Sequence, residues 1–391
     1  MPSLLISALR KHSLRALLLL SVVALQACAT SGVLNVARDQ FRHGSTNEAM
    51  QTLSEASVSR RNKLLLYMDR GLIAQTAGHY EDSIAAFEQA IQLVDDLDYV
   101  SLRDQSAAIL TSDWASRYSG EYSERLWLHT FQMLNYLMLD DPQGAAVEAR
   151  RAVALYEKYG DVLKQDMFTR SVMALSFMAA GQYDSARVEY RKLTEDFGIA
   201  EPKPLSRKQS ELILFIATGF IQPKLPGDLF IDINARISFP FYPASSNSPP
   251  TVQVLADNQP LPVERADSQL VAISSDALAD RGKSIAARQA LRLAAKYGVS
   301  ESIESHDALA GGIVKLLFLA LEQADTRSWE TLPAYLTLIR VPLEPGAHSL
   351  RLLINGSDGN SAIIGQRRTL DIELAPGQRS FRLIRLGVNN N

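Results

Sequence analysis

The stretch Tyr67–Leu93, YMDRGLIAQTAGHYEDSIAAFEQAIQL, reads as a helix, a tight turn and a second helix. Gly71 removes a side chain where the first helix must lie close to its partner. Gly78 supplies the positive φ of the turn, and Tyr80 packs over it. Ser83, Phe87 and Ala90 recur at three- and four-residue steps and so share one face of the second helix. Such a pair cannot bury its apolar face alone and must stack with copies of itself.

Copies lie on both sides. Residues 35–56 place Gly44, Ala49, Leu53 and Ala56 at an offset of 34 from Gly78, Ser83, Phe87 and Ala90. In Leu126–Val153 the matching positions are Asp140, Ala145, Ala149 and Ala152, so the turn has lost its glycine. From Arg170 to Leu193, Gly181, Tyr183, Ala186 and Tyr190 repeat Gly78, Tyr80, Ser83 and Phe87. A wider step before the third copy leaves an insertion around Asp95–Glu124 that holds Trp114, Tyr118 and Tyr122. The 34-residue period resembles the tetratricopeptide (TPR) repeat, and four helix pairs suffice for a solenoid. By that resemblance the first helix of each pair lines a concave face. Leu65, Met68, Leu72 and Gln75 fall there from the second pair, and Phe168, Ser171, Leu175 and Met178 from the fourth. Two readings stand open: a groove for a partner peptide or helix, or a core covered by the C-terminal half, since so apolar a face is a costly patch to expose.

The N-terminus carries a second signal. Arg10, Lys11 and Arg15 precede an apolar run, Ala16–Leu25, too short to span a bilayer and of secretory-signal form. It ends in Leu25-Gln26-Ala27-Cys28, which resembles a bacterial lipobox, with Cys28 as the lipidated residue. A plain secretory signal or an uncleaved anchor helix is the alternative. Cys28 is the chain's only cysteine, so no intrachain disulfide forms. By resemblance to sorted Gram-negative lipoproteins, Ala29 favours the outer membrane, facing the periplasm. The helical pattern resumes near Asn35, about 25 Å of extended chain from Cys28, so the folded part sits close to its membrane.

The chain has 391 residues, 47% apolar and 21% charged, with a net charge of −3. Three of its 40 bases lie in the leader, leaving 37 against 43 acids. A mildly acidic chain without a basic run excludes nucleic acid as the main partner.

Beyond the linker signal Glu201-Pro202-Lys203-Pro204 the pattern changes to strands: Glu211–Ala217, Leu229–Phe241, Thr251–Leu255 and Gln269–Ile273. Two helices are expected at Ser284–Tyr297 and Gly312–Glu322, the latter nearly all apolar. The tail repeats itself, since Leu343-Glu-Pro-Gly-Ala-His-Ser-Leu-Arg-Leu resembles Leu374-Ala-Pro-Gly-Gln-Arg-Ser-Phe-Arg-Leu. Each puts Pro-Gly at a turn before an alternating strand, which predicts a small β-sandwich.

Chemistry is sparse. Arg281-Gly282-Lys283-Ser284 imitates the end of a P-loop, but Ala277 stands where a glycine is needed, and Asp276 and Asp280 have the wrong sign for phosphate. No nucleotide is expected. None of the six histidines pairs at metal-ligand spacing, and there is neither HExxH nor GxSxG. No cofactor, metal or catalytic residue is expected, and the chain reads as a non-enzyme. Arg327 and Trp329, beside Asp325, read either as a helix cap and junction cover or as a partner-binding pair.

The lipobox, the repeats, Ala324-Asp-Thr-Arg-Ser-Trp329 and Val341-Pro-Leu-Glu-Pro-Gly-Ala-His-Ser-Leu350 together resemble a family of Gram-negative TPR outer-membrane lipoproteins. The resemblance implies a periplasm-facing scaffold that binds envelope proteins in peptidoglycan synthesis or surface assembly. It carries over no catalytic residue. A lipid or glycan carrier using the apolar groove is the rival. The expected architecture is α+β: a signal peptide in residues 1–27, a TPR-like solenoid in 28–200, and an α/β region with a β-sandwich in 201–391.

Overall fold

A computed structural model of the chain describes residues 32–103, 116–232, 235–244, 248–282, 323–357 and 362–387. Its first part is a stack of helix pairs: α1 (32–42) with α2 (Thr46–Ser54), α3 (Lys63–Thr76) with α4 (Tyr80–Arg103), α5 (Tyr122–Met138) with α6 (Pro142–Leu163), and α7 (Met167–Ala179) with α8 (Tyr183–Phe197). The turns show why the repeat needs its glycine. Gly44, Gly78 and Gly181 have φ of 88°, 82° and 74°. In the third pair Asp140 takes the same left-handed geometry at φ 57°, and Asp141 caps α6 by accepting from Gly144 N. Gly71 is a close-packing position, since a β-carbon there would stand 2.3 Å from the Phe87 ring. Ser83 Oγ donates to Gly71 O at 2.7 Å, tying the two helices at the same level.

The second part holds two four-stranded sheets. Their strands are β1 (Ser210–Thr218), β4 (Thr251–Ala256), β5 (Gln259–Pro260), β6 (Glu264–Gln269), β7 (Tyr335–Leu343), β8 (Gly346–Ser357), β9 (Ala362–Leu374) and β10 (Arg379–Leu386). One sheet runs β10-β1-β7-β6, with β1 parallel to β10 and antiparallel to β7; the other runs β5-β4-β8-β9. Leu212, Leu214, Ile216, Ile339 and Ile384 of the first meet Val254, Leu350, Leu352 and Leu374 of the second in one apolar layer. The alternate residues, Ile213, Phe215, Leu336 and Leu338, join the helices' core. The first sheet is therefore a middle layer between helices and second sheet. This explains why all nine residues of β1 are buried: a strand covered on both faces reads as a continuous apolar run.

The expected β-sandwich is present, but it starts at β1 rather than in the tail. The two Pro-Gly repeats supply one strand to each sheet, β8 and β10. Two expectations change. Leu229–Phe241 is not one strand: β2 (Leu225–Asp232) and β3 (Ala235–Phe241) form a separate two-stranded ribbon. Gln269–Ile273 is not a strand either. β6 stops at Gln269 and residues 270–282 are helical, α9, because Leu270, Val271, Ile273, Ala277 and Leu278 are buried at helical spacing. Arg281 therefore lies within helical residues that follow β6. The expected helices at 284–297 and 312–322 lie outside the described residues, as does Trp114.

Candidate interaction surfaces

The concave face of the helix stack is occupied by the chain's own second half. Leu65, Met68, Leu72, Gln75, Phe168, Ser171, Leu175 and Met178 are all buried. Phe168 meets Phe215 of β1 edge to face, at 6.2 Å between centroids. Phe87 and Phe131 enclose Trp329 at 5.7 and 5.6 Å. Gln75 is used within the stack: its amide donates to Phe131 O at 2.9 Å and Asn135 Oδ1 at 2.7 Å, and Asn135 donates on to Ser83 Oγ. Of the two readings of this face, the described geometry is that of a core. An open groove over these eight residues does not exist here, because the first sheet supplies the apolar partners an outside peptide would have supplied.

Polar groups register the two halves at four points. Asp166, the N-cap of α7, accepts from Thr169 N, Trp127 Nε1 and Ser268 Oγ, while Ser268 Oγ accepts from Phe168 N. Arg38 of α1 donates to Asp69, to Glu330 and to Ser328 O, and Thr331 donates to Asp69. Arg340 of β7 grips Glu211 through Nε and Nη2 and donates to Tyr190 of α8; Arg379 shares the same carboxylate. Glu121 accepts from Lys224 and Arg281. Burial by itself raises the Glu121 carboxyl, but the two cations outweigh it and hold its pKa down at about 2. Its neighbour Glu124 is raised by burial, and accepts from Trp329 N at 2.8 Å.

Arg327 and Trp329 belong to this seam. Arg327 is paired with Asp325 through two 2.7 Å contacts, donates to Arg61 O and Ser116 O, and lies over the Tyr118 ring. Trp329 is fully buried. Neither is an exposed anchor, since both fix the strand-side connection onto the helices. The fully buried acids that make the seam, Asp69 and Asp166, escape sequence reading because one acid mid-helix and another at a cap look like solvated surface charge.

Among the features of the described residues that are open to the outside, two bear on function. A cavity of about 330 Å³ lies between α7, α8 and the first sheet, lined by Ser171, Leu175, Tyr190, Ile199, Leu338 and Arg340 among others. It keeps a fragment of the expected concave surface accessible. The β2–β3 ribbon is the other: Leu225, Leu229, Phe230, Phe239 and Phe241 are 40–65% exposed. Among the described residues no cluster of three His, Cys, Asp or Glu could hold a metal, and no helix is long and apolar enough to cross a membrane.

No protein-family model matches the chain, and no curated protein matches it in sequence. Among solved structures, one described as the crystal structure of MamA protein is 14% identical and covers 44% of this chain and 98% of its own, with a TM-score of 0.25. Another, MamA MSR-1 C2, is 11% identical over 43% of this chain and 96% of its own, with a TM-score of 0.20. Likeness at this level carries no conclusion about function.

Proposed function

We propose that the chain is a non-catalytic, lipid-anchored scaffold of a bacterial envelope, held to the outer membrane through Cys28 and facing the periplasm. The observation that carries the scaffold reading is the stack of helix pairs, whose concave-face residues are buried in a core shared with the second half, so that the two make one folded body. Partners would then meet the outer surfaces of that body rather than a groove. The anchor reading is supported by the lipobox-like Leu25–Cys28 and by the three residues that separate Cys28 from the first described residue of α1. Crosslinking in cells from photoreactive groups at Val147, Tyr183 and Val188, all exposed, tests the scaffold: reproducible envelope partners are expected, and their absence at all three sites would refute it. Replacing Cys28 with Ser should release the protein from the membrane fraction; unchanged association would overturn the anchor.

A carrier of a small amphipathic molecule is favoured by one observation, the 330 Å³ cavity with an apolar wall and Arg340 at its side. Its volume is at the low end for ligand pockets. Mass spectrometry of the native protein with a bound lipid or glycan fragment would establish it.

A further inference from the structure

The β2–β3 ribbon belongs to neither four-stranded sheet. Its register pairs Leu225 with Phe241, Gly227 with Phe239 and Leu229 with Ile237. Directly paired residues and alternate residues of a strand share a face. One face is therefore Leu225, Gly227, Leu229, Ile237, Phe239 and Phe241, without a polar side chain. The glycine widens the patch: a β-carbon at Gly227 would meet the Phe239 ring at 2.8 Å, so that ring lies across the partner strand. The opposite face carries Asp228, the exposed Phe230 and Ser238, and meets the body at Ser238, which is buried and whose Oγ accepts from Ala324 N at 3.1 Å. A contiguous exposed apolar face of this kind marks a contact surface.

We propose that this face lies on the lipid surface that receives the Cys28 anchor, as a second and reversible membrane contact. The proposal rests on the anchor reading for the orientation of the molecule. Three residues separate Cys28 from the first described residue, Gly32, a reach of about 14 Å over four Cα steps. The membrane must then lie beside α1. The segments flanking the ribbon are tied to the second half of the same helix, within about 14 Å of Gly32. Phe41 of α1 packs edge-on against Phe220, five residues before the ribbon, at 5.6 Å. Arg38 donates to Ser328 O, four residues after the Ala324 that holds Ser238. The side chains suit acyl chains better than a protein partner: the face has Leu, Ile and Phe but none of the Tyr, Trp or Arg that dominate protein hot spots. Among the described residues no third strand joins the ribbon, and hydrocarbon does not tolerate open strand edges. The ribbon therefore lies flat at headgroup depth, with only side chains entering the acyl region.

The test uses the mature chain from residue 28 with Cys28→Ser, which removes the sole thiol. Leu229→Cys in that background carries a polarity-sensitive fluorophore, and Val188→Cys on α8 serves as the comparison. With zwitterionic phosphatidylcholine vesicles the emission at position 229 should shift to the blue and that at 188 should not. Leu229→Asp with Phe239→Asp should lower co-sedimentation with the vesicles at least tenfold while the helical circular dichroism is kept. No shift at 229 overturns the proposal. A shift that grows with protein concentration without vesicles gives the face to a second copy. A label already shielded in dilute, vesicle-free protein gives it to another segment of the chain; either overturns the lipid contact. Because the thiol anchor is absent throughout, failure here is separate from failure of the anchor, which is read from the mass of wild-type protein extracted from membranes.

Discussion

At the scale of single residues, the fold turns on backbone positions where one carbon atom decides the packing. Gly71 faces the Phe87 ring at a distance no β-carbon can occupy. Gly71→Ala should therefore destabilise the protein by about 1–3 kcal/mol, the usual cost of overpacking a core, although alanine is the better helix former. Gly160→Ala, where the added carbon meets nothing within 4 Å, is the control and should be neutral or stabilising in the same thermal melts. Equal behaviour of the two would show that α3 and α4 are further apart than described. Asp140 is the converse. It holds a left-handed φ without being glycine, so Asp140→Gly should raise stability by up to about 1 kcal/mol. Both positions were legible in sequence, because Gly71 stands where the first helix of the pair meets its partner, and matching Leu126–Val153 to Tyr67–Leu93 puts Asp140 at the place of Gly78 before any coordinates.

Elements are placed by buried charge as well as by apolar stripes. Glu121, at the entrance of α5, ties Lys224 and Arg281 of α9 to the helix stack. Its folded pKa lies near 2, below the ordinary carboxylate value of 4.5. A depressed carboxyl contributes stability that is complete above the unfolded pKa and is lost as pH falls through the folded one. Between about pH 4.5 and pH 2 this contribution should disappear. Glu121→Gln should cost about 3 kcal/mol at neutral pH, since it leaves two cations without their carboxylate, and should flatten that part of the acid limb. Urea melts at pH 7, 4 and 2.5 check both; an unchanged acid limb in the variant would remove Glu121 from this role. The strand–helix exchange at residues 269–273 is instructive at this scale. Five residues cannot separate a strand from the first turn of a helix, and the run Leu270–Leu278 reads as helical only when taken whole. The ribbon was hidden for a similar reason: its turn carries no Pro or Gly, so Leu229–Phe241 looks like one alternating strand.

For the whole molecule, the helices and the first sheet share one core, so the two halves should melt as a single cooperative unit. Calorimetry should give one transition with equal calorimetric and van't Hoff enthalpies. Two resolved transitions would show that the helix stack stands without its β-layers. By itself the sequence determined the helix pairs, their period, the buried strand β1 and the paired Pro-Gly turns, because these rest on local spacing and on residues with few backbone choices. It also held the lipobox-like Leu25–Cys28. Only the tertiary structure decided what covers the concave face. Leu65, Met68, Leu72, Phe168 and Leu175 would have the same pattern facing a partner peptide or facing β1, since apolar burial is non-directional. The choice was made by long-range pairs such as Phe168 with Phe215 and Asp166 with Ser268, separated by tens of residues and visible only once the chain has closed on itself.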